Sequence, residues 1–390
     1  MTWQRILFFC PVFVGISLFS LAERNLLHWA YRPVMDHQIP ECVNEDWCQN
    51  EIDAFILADF NEKEILPPVR ASERVLLRRL YYTLIGLPPD SENFGEVEFN
   101  LEIEKLLNSP HYGEKWARHW MDVARYADSN GLDENLAFAH AWKYRDYLID
   151  AFNRDIPFDD FITEQLAGDL LAEGKPLDVA NRLKVATGFL ALGPKLLAEP
   201  DPVKMEMDMI DEQLDVVGQA FMAITIGCAR CHDHMSDPIT TAEYYGMAGI
   251  SKSTKSMDKI TRPTRWFEHV ISSKDEQLHS EKHELLINTQ KNLIQSYKDK
   301  ANQELIALKV VNRIPKNPAN FYTESTKKEI AFLEETLSKY EESRPALEYC
   351  HGVSDGNITK LKVHLRGDPD TLGEVQERKF LSLFQVSEDQ

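Results

Sequence analysis

The chain has 390 residues, 43% of them apolar and 27% charged. That is apolar mass enough for one large domain or two ordinary ones, and it excludes a disordered acidic protein. Acidic residues outnumber basic ones 63 to 43, a net charge of -20, which argues against nucleic acid or an anionic membrane surface as the main partner.

An apolar run over 6–22 follows Arg5 and ends in Ser20-Leu21-Ala22, which puts small residues at the two positions that determine signal-peptidase cleavage. The expectation for 1–22 is a secretory signal peptide. A retained membrane anchor is the alternative, because the run is near the lower limit for spanning a bilayer. The location follows: exported, periplasmic or cell-surface, touching the membrane only through this segment if it stays uncleaved. Residues 23–50 read as turn-rich, and Cys42 and Cys48 are close enough for a local disulfide in an oxidising compartment.

Helical periodicity begins near Asn50 and recurs over 73–84 and 100–107. Ser109-Pro110 starts a helix to about Asp128, a Ser cap with Pro in the first position. Along it Tyr112, Trp116, His119, Val123 and Tyr126 recur at helical spacing, which places His119 on a buried aromatic stripe. The stretch from Asp128 to Asn135 is rich in acids and amides, but it lacks the spacing of a calcium loop and reads as a solvated turn. More helices are expected over 139–154, 158–171 and 183–192. Ile210, Leu214, Val217, Phe221 and Ile224 stripe a further helix that should stop at Gly227, with Asp208, Asp211, Glu212 and Asp215 on its other side. The expected class is mainly α. A multi-helix haem-c-like domain (23–250) precedes a basic linker (251–272), an antiparallel coiled-coil hairpin (273–345) and a short β-containing tail (346–390).

The chemistry lies in Cys228-Ala229-Arg230-Cys231-His232, the spacing of covalent haem c attachment. Two thiols three positions apart can form thioethers to the haem vinyls, and the adjacent His232 can then reach the iron as proximal ligand. One haem c is the cofactor expected. Structural zinc would need further ligands that no second Cys-x-x-Cys or His-x-x-x-His supplies, and a thioredoxin-like pair would need a βαβ context. A plain disulfide is the remaining alternative. His119 is the first candidate for the distal ligand; its own alternative is a hydrogen-bonded core histidine. Met235 and Met247 are others, whereas His234 sits too near His232 to cross the ring. Cys350 is left over, and the preferred reading is a buried, inert thiol.

Several blocks together resemble one family. They are Ile52-Asp53-Ala54-Phe55-Ile56; Gly86-Leu87-Pro88-Pro89; Gly113-Glu114-Lys115-Trp116-Ala117-Arg118-His119-Trp120 with Arg125-Tyr126-Ala127-Asp128; Tyr144-Arg145-Asp146-Tyr147; Gln165-Leu166-Ala167-Gly168-Asp169; and the pentad with Gly227, Asp233 and His234. The set is similar to the planctomycete surface cytochrome family, in its second, cytochrome-like domain of unknown function, over about 50–250. Val363-His364-Leu365-Arg366-Gly367-Asp368-Pro369 resembles the family's middle region. The resemblance implies a haem site at Cys228, Cys231 and His232, and gives His119 and His234 no role. Met235-Ser236 stands where the family usually has Lys-Phe. The family's N-terminal cytochrome domain and large C-terminal domain have no counterpart, as in a short, split or truncated relative.

The functional expectation is an exported c-type haem protein passing electrons to a redox protein or to a separately encoded family C-terminal domain. As an enzyme it would be at most the electron-transfer subunit of an oxidoreductase, and no catalytic residue is assigned. The alternative is a surface interaction protein in which Cys-x-x-Cys is a structural disulfide or metal site. A haem enzyme acting on a small ligand or a polymer is a third reading.

Overall fold

The computed structural model describes residues 28–32, 34–42, 47–90, 98–132, 135–260, 264–310 and 313–384. The expected signal segment lies outside them. The protein is mainly helical, with small antiparallel strand pairs. Its helices are α1 (Glu51–Glu62), α2 (Glu73–Leu84), α3 (Phe99–Leu107), α4 (Pro110–Val123), α5 (Ala141–Asn153), α6 (Phe158–Leu171), α7 (Leu177–Ala186), the single turn α8 (Gly188–Ala191), α9 (Pro202–Val217), α10 (Thr241–Lys252), α11 (Lys274–Ala307) and α12 (Glu324–Glu342).

Caps set several of the starts. The Asn50 side chain accepts from the Asp53 N–H, and the Asp201 side chain accepts from the first turn of α9 just before Pro202. Thr240 with Glu243, and Ser273 with Glu276, form reciprocal capping boxes at α10 and α11. Helices α4 to α8 enclose an aromatic core, in which Tyr144, Tyr147, Phe161 and Phe189 are buried and Trp120 packs against them. Close crossings depend on glycine. A methyl group at Gly113 would strike the Ile149 carbonyl, and one at Gly168 the Leu183 carbonyl. A second cluster joins α9 and α10 through Met207, Ile210, Leu214, Ile226, Tyr244, Tyr245 and Met247.

Residues 254–260 and 264–270 are not the linker expected from their composition. They form β1 (Thr254–Lys255), β2 (Met257–Lys259), β3 (Arg265–Trp266) and β4 (Glu268–Val270). Strand β1 pairs with β6 (Ser354–Asp355), β2 with β3, and β4 with β5 (Tyr349–His351). Burial of Met257 and the packing of Trp266 on Phe138, with centroids 4.6 Å apart, hold this segment to the helical core. Helices α11 and α12 lie alongside each other. Ion pairs Glu284–Arg344, Lys291–Glu341 and Lys298–Glu334 descend on one helix as they rise on the other, so the two are antiparallel. The expected single tail strand has a partner: β7 (Leu361–His364) and β8 (Leu372–Gln376) make an antiparallel hairpin.

Candidate functional site

Helix α9 buries Met205, Met209, Ile210, Leu214 and Val216 on one side. It ends earlier than its apolar stripe suggested. A π-helical turn at Gly218–Met222 leads to Ala223 in the left-handed region, at φ 56°, and the chain then folds back beneath the helix. Gly218 permits this return, since a Cβ there would lie 2.7 Å from the Ile224 carbonyl. A 3-10 turn, Ile226–Arg230, carries the first three residues of the pentad.

The pentad is split by burial. Ile226 and Ala229 are wholly buried, whereas Cys228, Cys231 and His232 are exposed. The spacers anchor the turn, and both thiols and the imidazole face outward. Arg230 does most of the anchoring, with its guanidinium 2.9 Å from Asp208 and 3.2 Å from Asp211. Burial works against that charge, but Asp211, Tyr244 and Asp208 outweigh it and raise the Arg230 pKa. Tyr244 donates to the other Asp211 oxygen at 2.5 Å. Its neighbour Tyr245 donates to the Arg230 carbonyl at 3.2 Å, and burial pushes its phenol up to about 12.

His232 bonds through Nδ1 to the Asp233 carbonyl at 2.8 Å. A carbonyl only accepts, so Nδ1 carries the proton and the neutral ring has a bare Nε2. His234 is committed elsewhere. Its Nδ1 accepts from the Asp237 N–H at 2.8 Å, so its Nε2–H donates to Thr225 Oγ1 at 3.1 Å. Asp233 caps α10 by accepting from the Thr241 N–H at 2.8 Å. Met235 projects into solvent and Met247 is buried in the α9–α10 cluster.

The β7–β8 hairpin closes on the pentad. Gly367 has φ 77°, and a Cβ on it would lie 2.5 Å from the Cys231 sulfur. His364 is buried 5.2 Å from the Tyr245 ring, and its Nδ1 has no hydrogen-bond partner. Burial lowers its pKa. Sequence reading missed these contributions. Asp208, Asp211, Glu212 and Asp215 were placed only on the far side of the apolar stripe, yet their shared-face spacing was the available signal for something cationic between them. Glu212 pairs with Arg125 and with the buried Lys195, which burial drives well below its ordinary pKa.

His119 is not on a buried face. It is exposed at the rim of an aromatic hollow over the first core, and none of the residues lining that hollow belongs to the pentad. The stripe is buried along Gly113 and Ala117 instead, where α4 crosses α5 closely. The stretch from Asp128 is a tied loop rather than a solvated turn: buried Asn130 bonds to the Leu136 N–H and the Lys195 carbonyl. Asp133 and Glu134 lie outside the described residues. Cys42 and Cys48 are joined by a disulfide, and Cys350 is buried, its thiol pushed up to about 12. Among the described residues, no three His, Cys, Asp or Glu side chains converge as a ligand set for a metal, and no helix is long and apolar enough to cross a membrane.

Residues 51–256 match the family model PSCyt2, described as a protein of unknown function (DUF1549). The chain belongs to the PSCyt2 family. The match covers more than half of the chain and includes the pentad with both of its carboxylate anchors. The β7–β8 hairpin, with His364 and Gly367, lies beyond the PSCyt2 match. No curated protein and no solved structure matches this chain.

Proposed function

We propose that this PSCyt2 chain is an exported mono-haem c protein that exchanges electrons with a protein partner. The carrying observation is the split burial of the pentad: Cys228, Cys231 and His232 point outward from a turn whose other side chains are fixed in the core. The residues fit a haem. Both cysteines are free thiols, and the Nδ1 hydrogen bond of His232 leaves Nε2 available to an iron. A zinc reading fits less well, because a structural zinc takes four convergent donors.

When bound, the haem would supply a one-electron iron couple. The chain's own residues set the frame. Arg230, held by Asp208 and Asp211, keeps the 3-10 turn from rotating, so the two sulfurs stay on one surface. The Asp233 carbonyl fixes the orientation of the His232 ring. Gly367 leaves the Cys231 sulfur room, and Tyr245 ties the hairpin to the Arg230 carbonyl. The strongly acidic composition favours a basic partner surface. The hairpin of α11 and α12, read as a coiled coil, is a second surface for a partner or for the family's C-terminal domain.

Expression with a haem-maturation system, followed by denaturation and intact-mass measurement, tests the proposal. The expected product carries the mass of one haem and shows a pyridine haemochrome band. A product with bare thiols, or with a disulfide between Cys228 and Cys231, overturns the redox reading and leaves the interaction-protein alternative.

A further inference from the structure

Helix α11 carries two apolar seams, and α12 fills only one. Gln290 donates to the Leu333 carbonyl, and Ala301 and Leu305 pack with Ile330. Ile287 and Ile294 are buried on that same side. The second seam is Leu278, Leu285, Leu286 and Leu293, at spacings of seven, one and seven, and each is between 44% and 67% exposed. Seven residues make nearly two turns, so these leucines share a face, roughly a third of a turn around the axis from the buried one. A heptad stripe of leucines open to water is a surface for another helix.

We propose that this seam is a homodimer interface, with α11 packed antiparallel on α11 of a second copy about a two-fold axis between Leu285 and Leu286. Two features choose a second copy over a different protein. The pattern is its own antiparallel complement: Leu278 and Leu293 lie equally far from the midpoint. Leu278 of each copy therefore meets Leu293 of the other, and Leu285 meets Leu286, the self-matching that an isologous contact requires. Charge agrees. The chain as a whole, at -20, repels itself, but α11 has five lysines against six acids. In this register no acid faces an acid and no lysine faces a lysine across 274–297, and Lys274 falls opposite the Tyr297 ring, a cation–π partner. The two hairpins become a four-helix assembly. A seam of this length is at the small end of protein interfaces, so association belongs in the micromolar range. This inference is independent of the haem reading.

Sedimentation equilibrium of the full chain tests this, with a thiol reductant present so that no interchain disulfide contributes. The wild type should dimerise. Leu278→Lys and Leu293→Glu each set an unpaired charge against leucine at both ends of the seam, and each should weaken the dimer by at least about tenfold. The double variant Leu278→Lys/Leu293→Glu brings the new opposite charges face to face, and it should recover at least about fivefold over either single variant. A parallel pairing would oppose like charges in the double variant and deny that recovery. A wild type that stays monomeric at about 100 µM, single variants that dimerise as the wild type does, or no recovery in the double variant overturns the proposal. The substituted positions are exposed, and circular dichroism confirms that each variant keeps its helices.

Discussion

Replacing Gly367 by alanine isolates the contact between the C-terminal hairpin and the pentad. Two separate costs arise. Alanine in the left-handed region, where Gly367 sits at φ 77°, costs about 1–2 kcal/mol. The new methyl would also lie 2.5 Å from the Cys231 sulfur, well inside van der Waals contact. Relieving such overpacking costs about 1–3 kcal/mol. The sum is about 2–5 kcal/mol, and only the second part depends on Cys231. With Cys231→Ala the nearest atom becomes the residue 231 Cβ, at 3.7 Å, an ordinary contact. Urea unfolding of the haem-free chain with its thiols reduced, across wild type, both single variants and the double variant, should give a coupling of about 1–3 kcal/mol. Additivity within about 0.5 kcal/mol would refute the reasoning, because distant residues behave that way. In haem-loaded material, Gly367→Ala should deplete the thioether at Cys231 and spare that at Cys228, as read by peptide mass mapping.

Three further outcomes follow from the packing. Arg230→Met should lower stability by about 2–3 kcal/mol, since it removes charge-assisted bonds to Asp208 and Asp211; an unchanged melting temperature would contradict the anchoring role. Gly168→Ala should cost about 2–3 kcal/mol, because its methyl meets the Leu183 carbonyl where α6 crosses α7; thermal unfolding within error of wild type would show that the crossing gives way freely. Burial holds the His351 pKa down at about 4, against 6.5 for the free group, and Glu268 at 3.7 Å is too distant to offset it. The unfolded chain therefore takes up a proton that the folded chain refuses. Stability is full above pH 6.5 and falls by about 3 kcal/mol as pH drops to 4. His351→Gln should flatten that part of the pH profile, and the same acid slope in both proteins would assign the loss to other groups.

The helices were legible because their signals are local. Ser109-Pro110 starts α4, and Asp201-Pro202 shows the same cap-plus-proline chemistry at α9. The pentad was legible for the same reason: attachment of two vinyls and one iron ligand requires fixed near-neighbour spacing. His119 shows the limit. A helical stripe specifies which side chains share a face, but the crossing at Gly113 and Ala117 decided which face turned inward. Strands β1 to β4 were hidden because each is only two or three residues long and its partner often lies far along the chain, at 349–355 for β1 and β4.

Residue types and spacing thus determined by themselves the helical class, the Ser109-Pro110 helix start and the three candidate attachment groups, since each rests on interactions within a few residues. Only the tertiary structure decided what holds those groups in place. Asp208 and Asp211 reach Arg230 from another helix, and Gly367 meets Cys231 from a hairpin more than a hundred residues away. Contacts between distant segments depend on how the packed faces register, and no local pattern encodes that register.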